Sequence, residues 1–237
     1  MKIRSILSLL AITAFMFVLS ACSETEDPGP LQEAYEEYSI DDFDRLEIGD
    51  AIHIDIEEGN YFEVSVRGDR RNVDDLDVFK EGSTLIVRFD ENRNRHHDTY
   101  VTITMPTLRS VNFSGASDSR VSGFYELENF DVYLSGASTC QLDIESMDIG
   151  IVLSGASVLT LRGEGINLDS ELSGASVLRA FDYPVANADV VVSGASTGKL
   201  TVENHLDVSA SGASSVRYRG NPTVDSNVSD SSTVQKD

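Results

Sequence analysis

The tetrapeptide Ser114-Gly115-Ala116-Ser117 decides the reading of this chain, because it occurs six times. It opens again at Ser135, Ser154, Ser173, Ser193 and Ser211, at intervals of 18 to 21 residues. Aligned on the first Ser, the preceding residue reads Phe113, Leu134, Leu153, Leu172, Val192, Ala210. Two positions earlier stand Val111, Val132, Ile151, Ser170, Val190 and Val208, with a mixed column between. Two apolar columns around a mixed one give the period-two pattern of a strand with one buried face. A second such strand follows the tetrapeptide. Ser119, Cys140, Leu159, Leu178, Gly198 and Val216 stand five residues after the first Ser, and Val121, Leu142, Leu161, Ala180, Leu200 and Tyr218 seven after. A degraded seventh copy reads Ser229-Asp230-Ser231-Ser232.

A unit of about twenty residues, all strand and turn, cannot bury its apolar face alone and must stack on copies of itself. Propeller blades need about twice that length, and the Leu and Asn spacing of leucine-rich repeats is absent. The pattern predicts an all-β parallel β-helix of about seven short coils, a rod of roughly 30 Å at one strand spacing per coil. At a corner of the coil, Gly115, Gly136, Gly155, Gly174, Gly194 and Gly212 serve as structural turns, since Gly permits positive φ and close backbone approach. Ala is expected to face the crowded inside. The Ser hydroxyls are expected to bond local backbone or the Ser of the next coil. No His or acid recurs beside them to activate a nucleophile.

The ends carry a different signal. Lys2 and Arg4 precede an apolar run from Ile6 to Leu19, too short to span a bilayer well. Leu19-Ser20-Ala21-Cys22 then reads as a lipobox, giving a lipoprotein signal peptide over 1–21 and lipidation of Cys22. Residues 22–40 read as an acidic linker. Its start, Ser23 to Asp27, suits either an export tag or a solvated spacer. The expected place is the outer membrane, lipid-anchored, at the cell surface or on the periplasmic face. Once Cys22 is acylated only Cys140 remains, a small buried apolar residue and not half of a disulfide.

The formal charge is -22, and loss of Lys2 and Arg4 takes it to -24. So acidic a chain is a poor partner for nucleic acid. Residues 41–110 lack the tetrapeptide but alternate like strands at Ile52, Ile54, Ile56, at Phe62, Val64, Val66, at Leu85, Val87, Phe89 and at Val101, Ile103, Met105. They are expected to form a β-rich capping section ahead of the repeat helix over 111–237, because open coil ends expose strand edges.

The chain resembles the putative auto-transporter adhesin, head GIN domain family over about residues 42 to 235. The resemblance rests on Phe43-Asp44-Arg45-Leu46-Glu47-Ile48, Val64-Ser65-Val66-Arg67-Gly68-Asp69, Gly82-Ser83-Thr84-Leu85-Ile86-Val87 and the repeated tetrapeptide. It implies a right-handed, pectin-lyase-like β-helix and a role in adhesion, and it carries over no catalytic residues. Gly165-Ile166-Asn167 spells the family's three letters, without a role that this alone assigns.

Two charged columns stand out. Arg120, Arg162, Arg179, Lys199, Arg217 and Arg219 fall six or eight residues after the first Ser, and only Lys236 lies outside them beyond Val111. Asp131, Asp169, Asp189, Asp207 and Asp225 precede the Ser by four residues, and Glu145, Glu164 and Glu203 form a further acidic column. One reading is a basic stripe for an anionic ligand such as a glycan, beside an acidic edge suited to Ca²⁺. The other is segregation of charge for solubility, with Asp favoured in turns. His96-His97-Asp98 has no second cluster at metal-ligand spacing, and His53 and His205 stand alone in the sequence. There is no Trp for sugar stacking, although Tyr125, Tyr133, Tyr183 and Tyr218 are available. The leading expectation is a non-enzymatic envelope protein that binds an extracellular glycan or a host or cell-surface protein. A polysaccharide lyase or hydrolase follows from fold analogy alone, and a purely structural component is the third reading.

Overall fold

The computed structural model describes residues 29–90 and 93–237. The signal-peptide reading, Cys22 and the acidic stretch beside it lie outside the described residues. Leu31–Asp237 form one unit. Its first strands are β1 Glu33–Tyr38, β2 Arg45–Ile48, β3 His53–Glu58 and β4 Glu63–Asp69. A single helical turn, α1 Arg70–Val73, precedes β5 Leu76–Glu81, β6 Thr84–Phe89 and β7 Thr99–Met105. The repeats supply β8 Ser110–Phe113, β9 Asp118–Ser122, β10 Leu127–Leu134, β11 Thr139–Leu153, β12 Val158–Leu172, β13 Val177–Val192 and β14 Thr197–Ala210. The last strands are β15 Ser215–Arg219, β16 Thr223–Val228 and β17 Thr233–Lys236.

The molecule is the expected β-solenoid. Each of β11 to β14 runs from one tetrapeptide corner to the next, so its first half and second half serve different sheets. Sheet A holds the strands that enter the corners: β5, β6, β2, β8, β10, the second halves of β11 to β14, then β16. Sheet B holds those that leave: β1, β4, β7, β3, β9, the first halves of β11 to β14, β15 and β17. The repeat pairings are parallel and in register apart from shifts after Thr160, Ala180 and Val185, and the alternating columns bury as the sequence requires. Phe113, Leu134 and Leu153 from sheet A meet Leu142, Leu159 and Leu161 from sheet B, all at most 1 % exposed. The Cys140 thiol sits in the same core and is pushed up to about 12 by burial.

The opening stretch does more than cap. β2 and β3 form a coil inside the stack, between the layer of β6 and β7 and the layer of β8 and β9. The chain therefore leaves the stack after β3, lays down the layer beyond it, and returns past it at β8. The closing strands are antiparallel: β5 on β6, and β4 and β1 beyond β7. Antiparallel strands cover the parallel edges at this end. The linker expectation is corrected here, because its Glu-rich end is strand β1. Ala34 and Tyr38 pack against the core from it, and Gln32 N–H donates to Asp69 Oδ2 at 2.9 Å.

The corners confirm one expectation and overturn another. From the second tetrapeptide onward the Ala N–H donates to the Gly carbonyl of the coil before, as from Ala137 to Gly115, Ala156 to Gly136 and Ala175 to Gly155, each at 2.7 Å. Gly155 has φ +72, and a Cβ there would lie 2.4 Å from the Gly136 oxygen. The expectation that Ala faces inward is wrong. Ala116, Ala137, Ala156, Ala175, Ala195 and Ala213 are exposed, and the Ser after each is buried. The turn points that Ser inward, and its hydroxyl spares it an unpaired burial by bonding three residues back. Ser138 Oγ donates to Ser135 O at 2.8 Å, and Ser157, Ser176 and Ser214 repeat the bond at 2.9 Å. Ser117 Oγ also reaches Ser138 Oγ at 3.1 Å.

Candidate functional site

The outward positions of sheet B carry the predicted basic stripe, and strand register divides it. One row reads Arg120, Gln141, Thr160, Arg179, Lys199, Arg217, Gln235 across successive coils. Arg120 is thus separated from the other cations of its row by the two coils that carry Gln141 and Thr160. Arg179, Lys199 and Arg217 are direct cross-strand neighbours, one strand spacing of ~4.8 Å apart in the backbone. Arg217 and Arg219 both pair with the Asp237 carboxylate, and Arg219 also lies over the Phe181 ring, 3.9 Å from its centroid. A register shift after Thr160 sets Arg162 between Asp143 and Asp182 and out of line with Phe181. The stripe is therefore a short ladder of three cations with Arg219 at its flank.

Towards β1 the same face changes character. Arg67, Tyr100, His53 and Asp118 stand opposite one another on β4, β7, β3 and β9. The Arg67 guanidinium lies 4.7 Å from the Tyr100 centroid, and His53 stacks on Tyr100 at 5.0 Å. Asp98 and Asp118 each lie 3.8 Å from a His53 ring nitrogen. Arg120 and Tyr35 join these residues around a groove of about 400 Å³. This cluster escaped sequence reading because its members come from five strands that pair only in the fold. His53 does not stand alone.

Sheet A presents the acidic column. Asp131, Gly150, Asp169, Asp189, Asp207 and Asp225 occupy one row in register. The Asp189 carboxyl is raised above its ordinary value by burial and by its neighbours Asp169 and Asp207. Two residues earlier runs a row that sequence reading missed: Asn129, Asp148, Asn167, Asn187, His205. Its amides form a ladder. Asn167 Nδ2 donates to Asp148 Oδ1 at 2.7 Å, and Asn187 Nδ2 to Asn167 Oδ1 at 2.9 Å. Asn167, the last letter of Gly165-Ile166-Asn167, belongs to this ladder. The two rows line a trough of about 470 Å³. The side chains stack along the rod and do not converge. Among the described residues no group of three or more His, Cys, Asp or Glu is placed to hold a metal ion, so the Ca²⁺ reading gains no support from geometry. Among the tyrosines named for sugar contact, Tyr183 is fully buried, while Tyr125 and Tyr133 are exposed.

These features define a class: a β-solenoid that presents repeated polar side chains along its faces, with corner serines committed to main-chain carbonyls. The chain belongs to the family described as putative auto-transporter adhesin, head GIN domain, which it matches over residues 42–222. Solved structures share the fold. A putative adhesin from Bacteroides fragilis is 18% identical with a TM-score of 0.75, covering 86% of this chain and 96% of its own. One from Parabacteroides merdae is 16% identical with a TM-score of 0.68 and the same coverage. A putative lipid binding protein from Parabacteroides distasonis is 15% identical with a TM-score of 0.65, again with 86% and 96% covered. No curated protein matches the chain. No helix of the described residues is long and apolar enough to cross a membrane.

Proposed function

We propose that this is a non-enzymatic, lipid-anchored envelope protein, adhesin-like, whose sheet B face grips an anionic glycan through Arg179, Lys199 and Arg217. The ladder itself carries the reading. In a chain with 40 acidic and 18 basic residues, three cations stand directly opposite one another, and Arg179 and Lys199 form no ion pair among the described residues. Like charges opposite each other destabilise a sheet. A polyanion lying along the rod relieves that repulsion by meeting one cation per coil. Membership of an adhesin family agrees with a binding role, and anchorage rests on the Cys22 lipobox. The lyase or hydrolase reading is weaker, because the acidic row repeats coil after coil instead of forming one distinct carboxylate pair.

The test is binding of the full chain to immobilised polygalacturonate across a salt series. Reversal of both free cations, Arg179→Glu with Lys199→Glu, is expected to weaken binding at least about tenfold, or ~1.4 kcal/mol, and to flatten its salt dependence. Unchanged binding would refute the ladder as the site. Protease treatment of intact cells tests the location, since protection until the outer membrane is broken would remove the adhesin role.

A further inference from the structure

Between its tetrapeptide corners each coil passes from sheet B into sheet A, and this second edge has a chemistry of its own. Glu126, Glu145, Glu164 and Glu203 line it on four coils. Glu145 and Glu164 are direct cross-strand partners, and the pairing of Leu127 with Ser146 sets Glu126 beside Glu145. None of the four forms an ion pair among the described residues. Beside them stand Met147 and Ile166, 53% and 44% exposed. With Pro184 and Ala186 they form the apolar side of a groove of about 390 Å³. Tyr183 is fully buried beneath it and donates its hydroxyl to Ser146 O at 3.4 Å. A Cβ on Gly165 would sit 2.7 Å from that hydroxyl, so Gly165 keeps the floor open while Ile166 forms the wall.

An uncompensated row of glutamates and a strip of apolar side chains in water are each unfavourable alone. One kind of occupant relieves both: apolar side chains to cover Met147 and Ile166, and cations to meet the glutamates. An anionic glycan or an anionic lipid surface is repelled by the same row. We propose that this edge docks a cationic amphipathic peptide segment of a partner protein. The unbranched Met147 adapts to the incoming side chain, and the glutamates set its direction and speed its approach. The inference goes beyond the glycan reading and uses none of its residues.

The probe is a fluorescent Lys/Leu amphipathic peptide, titrated onto the full chain immobilised on a surface, with oligolysine of equal charge as reference. The Lys/Leu peptide is expected to bind at least about tenfold more tightly than oligolysine. Replacing the exposed pair, Met147→Ser with Ile166→Ser, is expected to erase that difference. Glu145→Gln with Glu164→Gln is expected to weaken both peptides, whereas Asp169→Asn with Asp189→Asn on sheet A leaves the preference intact. Equal binding of the two peptides to the unaltered chain would overturn the proposal. So would equal losses from the sheet A variant and the Glu145 and Glu164 variant, because attraction would then be general. The glycan reading survives either failure, since it stands on Arg179 and Lys199.

Discussion

Replacing Gly155 by Ala tests whether the repeated tetrapeptide exists for backbone stacking. Gly155 has φ +72, and the added Cβ would lie 2.4 Å from the Gly136 carbonyl oxygen. Holding an L-residue in the left-handed region costs roughly 1–2 kcal/mol. Relieving the contact lengthens the bond from Ala156 N–H to Gly136 O, now 2.7 Å, and forfeits about 0.5–1.5 kcal/mol. Against this, Ala reduces the freedom of the unfolded chain and returns about 0.4–1 kcal/mol. The net loss is about 2 kcal/mol, or ~4–8 °C in Tm for a unit of this size. Gly82 is the control. It also has positive φ, +61, but nothing lies within 4 Å of its added Cβ. Gly82→Ala should cost about 1 kcal/mol or less, since only the backbone conformation and the unfolded-state gain operate. Thermal and urea unfolding followed by circular dichroism measure both. Equal losses would refute the reasoning, for they would show that positive φ alone explains the glycines and that close stacking contributes nothing.

Two further outcomes follow from buried groups. Asp69 is 1% exposed, and the Arg71 guanidinium and the N–H groups of Gln32 and Arg71 hold its carboxyl well below the usual carboxylate range. A depressed folded-state value stabilises the fold above the unfolded carboxylate range, and that contribution is lost as pH falls through the folded value. The acid limb of the stability profile should therefore flatten in Asp69→Asn, and an unchanged limb would contradict the assignment. The Cys140 thiol, pushed up to about 12 by burial, should resist a thiol-specific reagent at neutral pH until urea unfolds the chain. Reaction at the native rate of a free thiol would contradict its place in the core.

Much of this protein is legible in its sequence, because a solenoid is nearly one-dimensional. Each coil contacts its neighbours, so periodicity along the chain converts directly into stacking in space. The alternation around Val132 and Leu134 and around Leu142 and Cys140 specifies which face is buried, and the recurring Gly specifies the corner. The orientation inside that corner was not legible. Ala and Ser are both small, and only the turn shows that Ser157 points inward to Ser154 O while Ala156 faces water. Nor did the Glu-rich stretch before Tyr38 announce a strand, since β1 exists only because β4 offers it an edge.

Composition located the charge, and register decided what the charge can do. The sequence by itself placed six cations in two columns and five aspartates in another. The structure then showed Arg217 and Arg219 sharing Asp237, Arg162 set between carboxylates by a bulge, and Arg179 and Lys199 left adjacent. It alone assembled His53, Tyr100 and Arg67 into one stack, and Met147 and Ile166 into one strip beside the glutamates. The physical reason is the range of each interaction. Burial of an apolar face is set by local alternation and survives small errors of register. An ion pair, a ring stack or a groove needs side chains from separate coils within a few ångströms, and only the bulges, corners and layer order of the folded chain determine that.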